Sequence, residues 1–337
     1  MSSTHRTAVP ARNDEGAIAL LVALVLSLGL LAFTGIVVDA GAYYSERRQL
    51  QTAADAAALA GAKDLVVSQA AAIASANKYA GLNSPAGETL AAPAVDFPSA
   101  SKIHVVVSNP SFGLFFARFV GKNSASVGAE ATAIIPSPSG YPSGVVPIGV
   151  PPEAVQFPQN HAPTTLKFDP GNAIGPGKFG WTSLTTTRIQ KKGIEDALDQ
   201  GGVSYEVKLG PVADRSGEND WKIVSKHLDP YLAKDTCIGA GQPTMAAHFA
   251  AVVTVNPDGS VVINDPTCKR LVICPVVSGL DTHSPVIVGF AWFFIDETSE
   301  SGQSITGRFV RPVIPQDWAD WGDYDPYGSV GPPKLYQ

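Results

Sequence analysis

The side chains able to do chemistry are few in this sequence, and their spacing is poor for it. Six histidines, His5, His104, His161, His227, His248 and His283, are scattered without the i, i+4 or turn spacing of a metal site. Three cysteines, Cys237, Cys268 and Cys274, share one stretch of the second half but lack paired C-x-x-C spacing. In an oxidising compartment they supply one disulfide and one spare thiol; in a reducing one, three small buried apolar residues. Bridging Cys237 to Cys268 or to Cys274 closes a loop of about 30 to 40 residues, for roughly 3–4 kcal/mol of chain entropy. Cys268 with Cys274 closes a shorter loop, and the sequence does not choose among these pairings. There is no G-x-x-x-x-G-K-[ST] phosphate loop, no H-E-x-x-H and no G-x-S-x-G nucleophile turn. No catalytic, cofactor-binding or metal site is expected, and the chain reads as a non-enzyme.

One further run carries dense functional groups: Asp317-Trp318-Ala319-Asp320-Trp321-Gly322-Asp323-Tyr324-Asp325-Pro326-Tyr327. Its acids do not follow the D-x-D-x-D-G loop of a calcium site. Trp318 and Trp321 suit either docking onto a basic, apolar groove of a partner or strapping over the chain's own domain.

Composition narrows the class. The 337 residues are 45% hydrophobic and 16% charged, with net charge −6, 32 glycines and 27 prolines. That balance excludes a nucleic-acid-binding protein, a long coiled coil and wholesale disorder. No small-molecule substrate is indicated. Residues 1–82 hold six basic and six acidic groups, so the whole −6 lies downstream.

The elements begin with a membrane signal. Residues 17–38 contain no charge, and such a helix is about 33 Å long, the thickness of bilayer hydrocarbon. The run is too long for a signal-peptide core and passes into a helical pattern without a cleavage site, so a retained anchor is expected. Arg6 and Arg12 precede it and Arg47 and Arg48 follow it, so loop charge does not set the topology. Residues 39–82 are Ala-rich and proline-free until Pro85, which predicts one continuous helix. Leu50, Ala54, Ala57 and Ala58 fall on one stripe of it, with Leu65 beyond. The stripe packs either on the chain's own domain or on another subunit. Asp39, the charge at the outer end of the span, either pairs with a basic group on a partner or is hydrated.

These N-terminal residues carry a resemblance. Glu15-Gly16-Ala17, the apolar span, Val38-Asp39-Ala40-Gly41, and Arg47 through LQTAADAAALAGA to Ala62 resemble the N-terminal segment of TadG-like proteins of Tad (Flp) pilus-assembly systems. Looser similarity continues from Ser111-Phe112-Gly113-Leu114-Phe115-Phe116 through Ala129-Glu130-Ala131-Thr132-Ala133, and in Pro176-Gly177-Lys178-Phe179-Gly180-Trp181 and Val288-Gly289-Phe290-Ala291. The resemblance implies a single-pass protein of the bacterial inner membrane, N-terminus inside and bulk extracytoplasmic, with other Tad pilus or secretion subunits as partners. It brings no catalytic residues. Asp39, Gly41, Arg47, Leu50, Gln51, Ala54, Asp55, Ala57, Ala58, Trp318 and Trp321 are the partner-contact candidates. Some larger relatives carry a von Willebrand A-type metal site, Asp-x-Ser-x-Ser. Here Asp214-Arg215-Ser216-Gly217-Glu218 has glutamate at the second serine, and no such domain is expected. Cleavage by a prepilin peptidase after Gly16 is disfavoured, because Leu21 stands where the pilin pattern wants glutamate.

The expected fold is α+β. A cytoplasmic N-terminus (1–14) leads to a transmembrane helix (15–38) and the Ala-rich helix (39–82). A small α+β unit (83–135) packs with that helix, with strands near 102–107 and 125–135. A Pro/Ser/Gly linker (136–144) precedes a β-rich domain (145–316), a sandwich or irregular barrel, and the acidic-aromatic tail (317–337). In that domain 202–209, 271–277 and 285–295 read as strands, 250–264 as a hairpin, and 190–200 and 221–233 as short helices. Two functions fit: a membrane-anchored assembly protein holding pilus or secretion components, or a tethered surface domain binding an external ligand or host surface.

Overall fold

The computed structural model describes residues 14–85, 90–157, 161–169, 177–214, 220–257, 260–279, 284–315, 317–322 and 329–336. His5, His283, Pro176, residues 215–218, the hairpin tip 258–259 and residues 323–327 lie outside them.

Helix α1, Asp14–Asp64, runs unbroken for 51 residues, about 75 Å at the usual rise. Its N-terminal half is apolar on every side and exposed, and it is the one described helix long and apolar enough to cross a membrane. Its C-terminal half changes character at Asp39, where an alanine stripe replaces the all-round apolar surface. The Ala-rich region is two helices, not one. Val66 and Val67 precede Ser68, whose hydroxyl accepts the Ala71 amide at 3.1 Å and caps α2, Gln69–Leu82. The hydroxyl of Ser75 donates to Asp64, folding α2 back so that Ala72, Ala76 and Ala80 are buried.

Strands β1 (Ala94–Ser99), β2 (Lys102–Gly113) and β3 (Ser124–Ile134) pair antiparallel beneath this helix pair. Burial alternates along β2, as a half-covered strand requires, and puts Ile103, Val105 and Val107 toward the alanine stripe. These side chains and Val127 and Ala133 of β3 form one core with Leu50, Ala54, Ala57 and Ala58.

The next segment departs from expectation. Residues 136–144 are not an open linker: they hold strand β4, Ser137–Tyr141, largely buried, at the centre of a three-stranded sheet. Tyr141 explains why. Its hydroxyl lies 2.7 Å from Ser329 Oγ and accepts the Trp292 indole N–H at 2.9 Å, while its ring meets Phe290 edge-on.

The larger unit is built from β5 (Ile148–Gly149), β6 (Thr164–Phe168), β7 (Lys178–Trp181), β8 (Val207–Lys208), β9 (Gly210–Pro211), β10 (Val253–Val255) and β11 (Val261–Ile263). Strands β12 (Leu271–Ser278), β13 (Val286–Ser299), β14 (Ser304–Val310) and β15 (Asp320–Gly322) complete it, and β16 (Lys334–Tyr336) is the last described strand. Its main sheet runs β12-β13-β14-β6-β7-β5, with β9 against β13. The β13 run of apolar residues is continuous because both faces are covered. Phe293 and Ile295 enter one core with Phe179 and Trp181, whereas Trp292 and Phe294 enter the other with Tyr141 and Phe290. Helices α3 (Lys191–Gln200), α4 (Asp229–Ala233) and α5 (Met245–Val252) flank it, with a π-helical turn Val224–Leu228 leading into α4. Of the expected 202–209 strand, Val207–Lys208 forms the regular part; Gly202 takes φ 137°, and Val203 bonds separately to Gly144 and Val145. Helix α5, unexpected, occupies the start of the anticipated hairpin, and Thr244 caps it. The last strand, β16, returns to pair with β3 and closes the edge of the first sheet.

Candidate functional site

The structure places Asp39, Leu50, Gln51, Ala54, Asp55, Ala57 and Ala58 along one seam between α1 and its sheet. Asp39 stands where the exposed apolar segment ends, and its carboxylate accepts three backbone amides. Phe115 N lies 2.8 Å from Oδ1, Phe116 N 3.1 Å from both oxygens and Ala117 N 2.7 Å from Oδ2. It thereby satisfies the donors that open the 3₁₀ turn Ala117–Val120. Desolvation raises the Asp39 pKa, but the amides and Arg118 more than offset it, so the carboxyl sits below its ordinary value. Asp39 is not a lone hydrated charge: it anchors the 115–117 backbone of its own chain.

That anchor seats an aromatic loop against the apolar segment itself. One turn before Asp39, a Cβ on Gly35 would stand 2.9 Å from Phe116 Cβ, so only glycine lets the loop approach this closely. Beyond the contact the loop turns its apolar side chains outward: Phe115 is 57%, Phe119 75% and Val120 82% exposed. The Arg118 guanidinium lies 4.7 Å from the Phe115 ring centre and 5.4 Å from that of Phe119.

Further along, the remaining candidates divide. Leu50, Ala54, Ala57 and Ala58 are fully buried in their own chain, so no partner touches them. Gln51 donates to Asp55 Oδ1 at 2.8 Å and to the Glu130 carbonyl at 2.9 Å, tying α1 to β3. Buried Glu46, which the sequence did not single out, accepts from Asn109 Nδ2 at 3.0 Å. Gly41 and Arg47 are exposed. With Tyr44, Ser45, Arg48, Gln49 and Thr52, Gly41 lines a shallow groove on the uncovered side of α1. In the tail, Trp318 stacks on Trp292 at 6.3 Å, and Trp321 packs on the second core from β15, so both strap the chain's own domain.

A second cluster was not foreseen. Asp235 and Cys237 follow α4, His248 lies on α5, and Cys268 precedes β12, yet their ligating atoms all fall within 4.8 Å of one another. The sulphurs of Cys237 and Cys268 are 2.7 Å apart, and His248 Nε2 is 2.9 Å from Cys237 Sγ. Burial pushes both thiols up and the His248 imidazole down, keeping all three neutral as free side chains. The separations of 11 and 20 residues hide this group from any motif search, and proximity of three cysteines in the sequence is the one signal that pointed toward it. Cys274 lies apart, fully buried on β12.

A helix long and apolar enough to cross a membrane, continuing without a break into a sheet-bearing domain, defines a candidate single-span anchored protein. Residues 16–64 match the model of the Tad family, described as Flp pilus-assembly TadE/G-like. No curated protein and no solved structure matches the chain.

Proposed function

We infer that this chain is a membrane-anchored, non-catalytic assembly protein of a Tad (Flp) pilus system, holding pilus or secretion components at the bacterial inner membrane with its bulk outside. The observation that carries the reading is the seam of α1. The TadE/G-like segment is one helix in which an apolar half, suited to a bilayer, is continuous with a half locked to the sheet by Asp39, Glu46, Gln51 and the alanine stripe. A span rigidly coupled to its domain transmits position, which an assembly scaffold needs and a flexible tether does not supply. The exposed loop fits the same geometry: Phe115, Phe119 and Arg118 sit where an apolar helix meets polar structure, the depth favoured by aromatic and basic interface residues. The face left for other Tad subunits is the groove of Gly41, Tyr44, Arg48 and Thr52.

Co-purification from detergent-solubilised membranes tests this. Tyr44→Ala with Arg48→Glu should release co-purifying pilus-platform proteins while leaving the chain in the membrane. If the complex survives those changes, and deletion of residues 145–337 instead abolishes binding to an external surface, the tethered surface domain is the correct reading.

A further inference from the structure

We propose that Asp235, Cys237, His248 and Cys268 form a structural zinc site that staples three separate segments of the β-rich domain. The donor set is two sulphurs, one imidazole nitrogen and one carboxylate oxygen, which selects a tetrahedral borderline-soft cation. A tetrahedral shell with Zn–S about 2.3 Å and Zn–N or Zn–O about 2.0 Å has edges of roughly 3.3 to 3.8 Å. Three of the six pairs fall in that range, Cys268 Sγ to Asp235 Oδ2 at 3.7 Å, His248 Nε2 to Asp235 Oδ2 at 3.4 Å and Cys237 Sγ to Asp235 Oδ2 at 3.3 Å, and Cys268 Sγ to His248 Nε2 lies just beyond it at 3.9 Å. The two pairs that are too close, at 2.7 and 2.9 Å, both involve Cys237 Sγ, so moving that one sulphur outward opens the shell.

The surroundings are those of a built site. Asp235 Oδ1 accepts the Lys269 amide at 3.2 Å, leaving Oδ2 aimed at the cluster. Asp265 joins the two cysteine turns by accepting the Ile238 and Thr267 amides, each at 3.0 Å. A Cβ at Gly239 would stand 2.9 Å from His248 Nε2, so glycine lets the first turn close over the imidazole. Charge balances too. Two thiolates and one carboxylate carry −3, the cation returns +2, and the Arg270 guanidinium, 3.6 Å from Asp235 Oδ2, supplies the last +1. Four protein ligands leave no open position, so the role is structural and not catalytic. Metal entry displaces the two thiol protons to solvent, with no change in oxidation state.

The test is metal analysis of the full-length chain, purified from membranes in detergent with a tag free of histidine and without chelator. One zinc per chain is expected. Cys237→Ser or Cys268→Ser should lower the content by more than about tenfold, and Cys274→Ser should leave it unchanged. Should the serine variants fail to fold, the wild-type chain exchanged into cobalt(II) must show the intense bands of tetrahedral thiolate ligation. A metal-free chain with a Cys237–Cys268 disulfide in its non-reduced peptide map, zinc retained in the folded Cys237→Ser and Cys268→Ser variants, or cobalt bound without thiolate bands would each overturn the assignment.

Discussion

The Ala117 amide donates to the Asp39 carboxylate across 78 positions of sequence, at 2.7 Å. This bond, with those from Phe115 and Phe116, sets where the first sheet stands relative to the apolar half of α1. Asp39→Ala should therefore speed hydrogen exchange at the 115–117 amides without unfolding the sheet, whereas Asp39→Asn, which keeps one carboxamide oxygen, should do so less. Exchange unaltered in both variants would mean that the loop is held by something else.

The alanine stripe admits no larger side chain. Ala57→Leu forces extra methylenes between α1 and β2, an overpacking that costs about 1–3 kcal/mol. Thr52→Leu on the exposed side should change stability by about 0.5 kcal/mol or less. Thermal unfolding in detergent compares the two, and equal effects would contradict the assignment of the stripe to the chain's own core.

Lipid contact of the aromatic loop has a separate readout. A spin label at Phe119→Cys in reconstituted vesicles should be relaxed more by lipid-soluble oxygen than by a water-soluble nickel complex, and a label at Thr165→Cys should show the reverse. Preferential relaxation of the 119 label by nickel would place the loop in water.

Acid stability should depend on His161. Burial lowers its pKa, outweighing a hydrogen bond to the Phe309 backbone, and Arg308 lowers it further. The unfolded chain then binds a proton that the folded chain does not, between the folded pKa and the ordinary value of about 6.5. Stability is thus full above about pH 6.5 and falls as pH drops below it. His161→Gln should flatten part of that slope in Tm measured against pH, and a slope identical to wild type would contradict it.

How much of this was legible in the sequence depends on how local each cause is. The apolar run to Val38 and the alanine stripe are periodic signals carried by neighbouring residues, so α1 and its buried face could be read directly. The break at Ser68 is also local, a capping serine after two β-branched valines, but helix propensity summed over the segment overrode it. Strand β4 was not legible, since its Ser-Pro-Ser-Gly composition reads as a linker until Tyr141 finds Trp292 and Ser329, 151 and 188 positions away. The Asp235, Cys237, His248 and Cys268 group fails for the same reason: its ligands come from two turns and a helix that only the fold brings together. Asp39 was singled out, but its partners, amides with no sequence signature, were not.

Surface pili provide the decisive readout. In bacteria lacking this chain, Flp pili counted at the cell surface should be restored by the full-length protein. The same domain should fail when released from the membrane, with residues 1–38 replaced by a cleavable export signal. Full restoration by the released domain, or normal pili in cells that lack the chain altogether, would contradict a rigidly anchored assembly role.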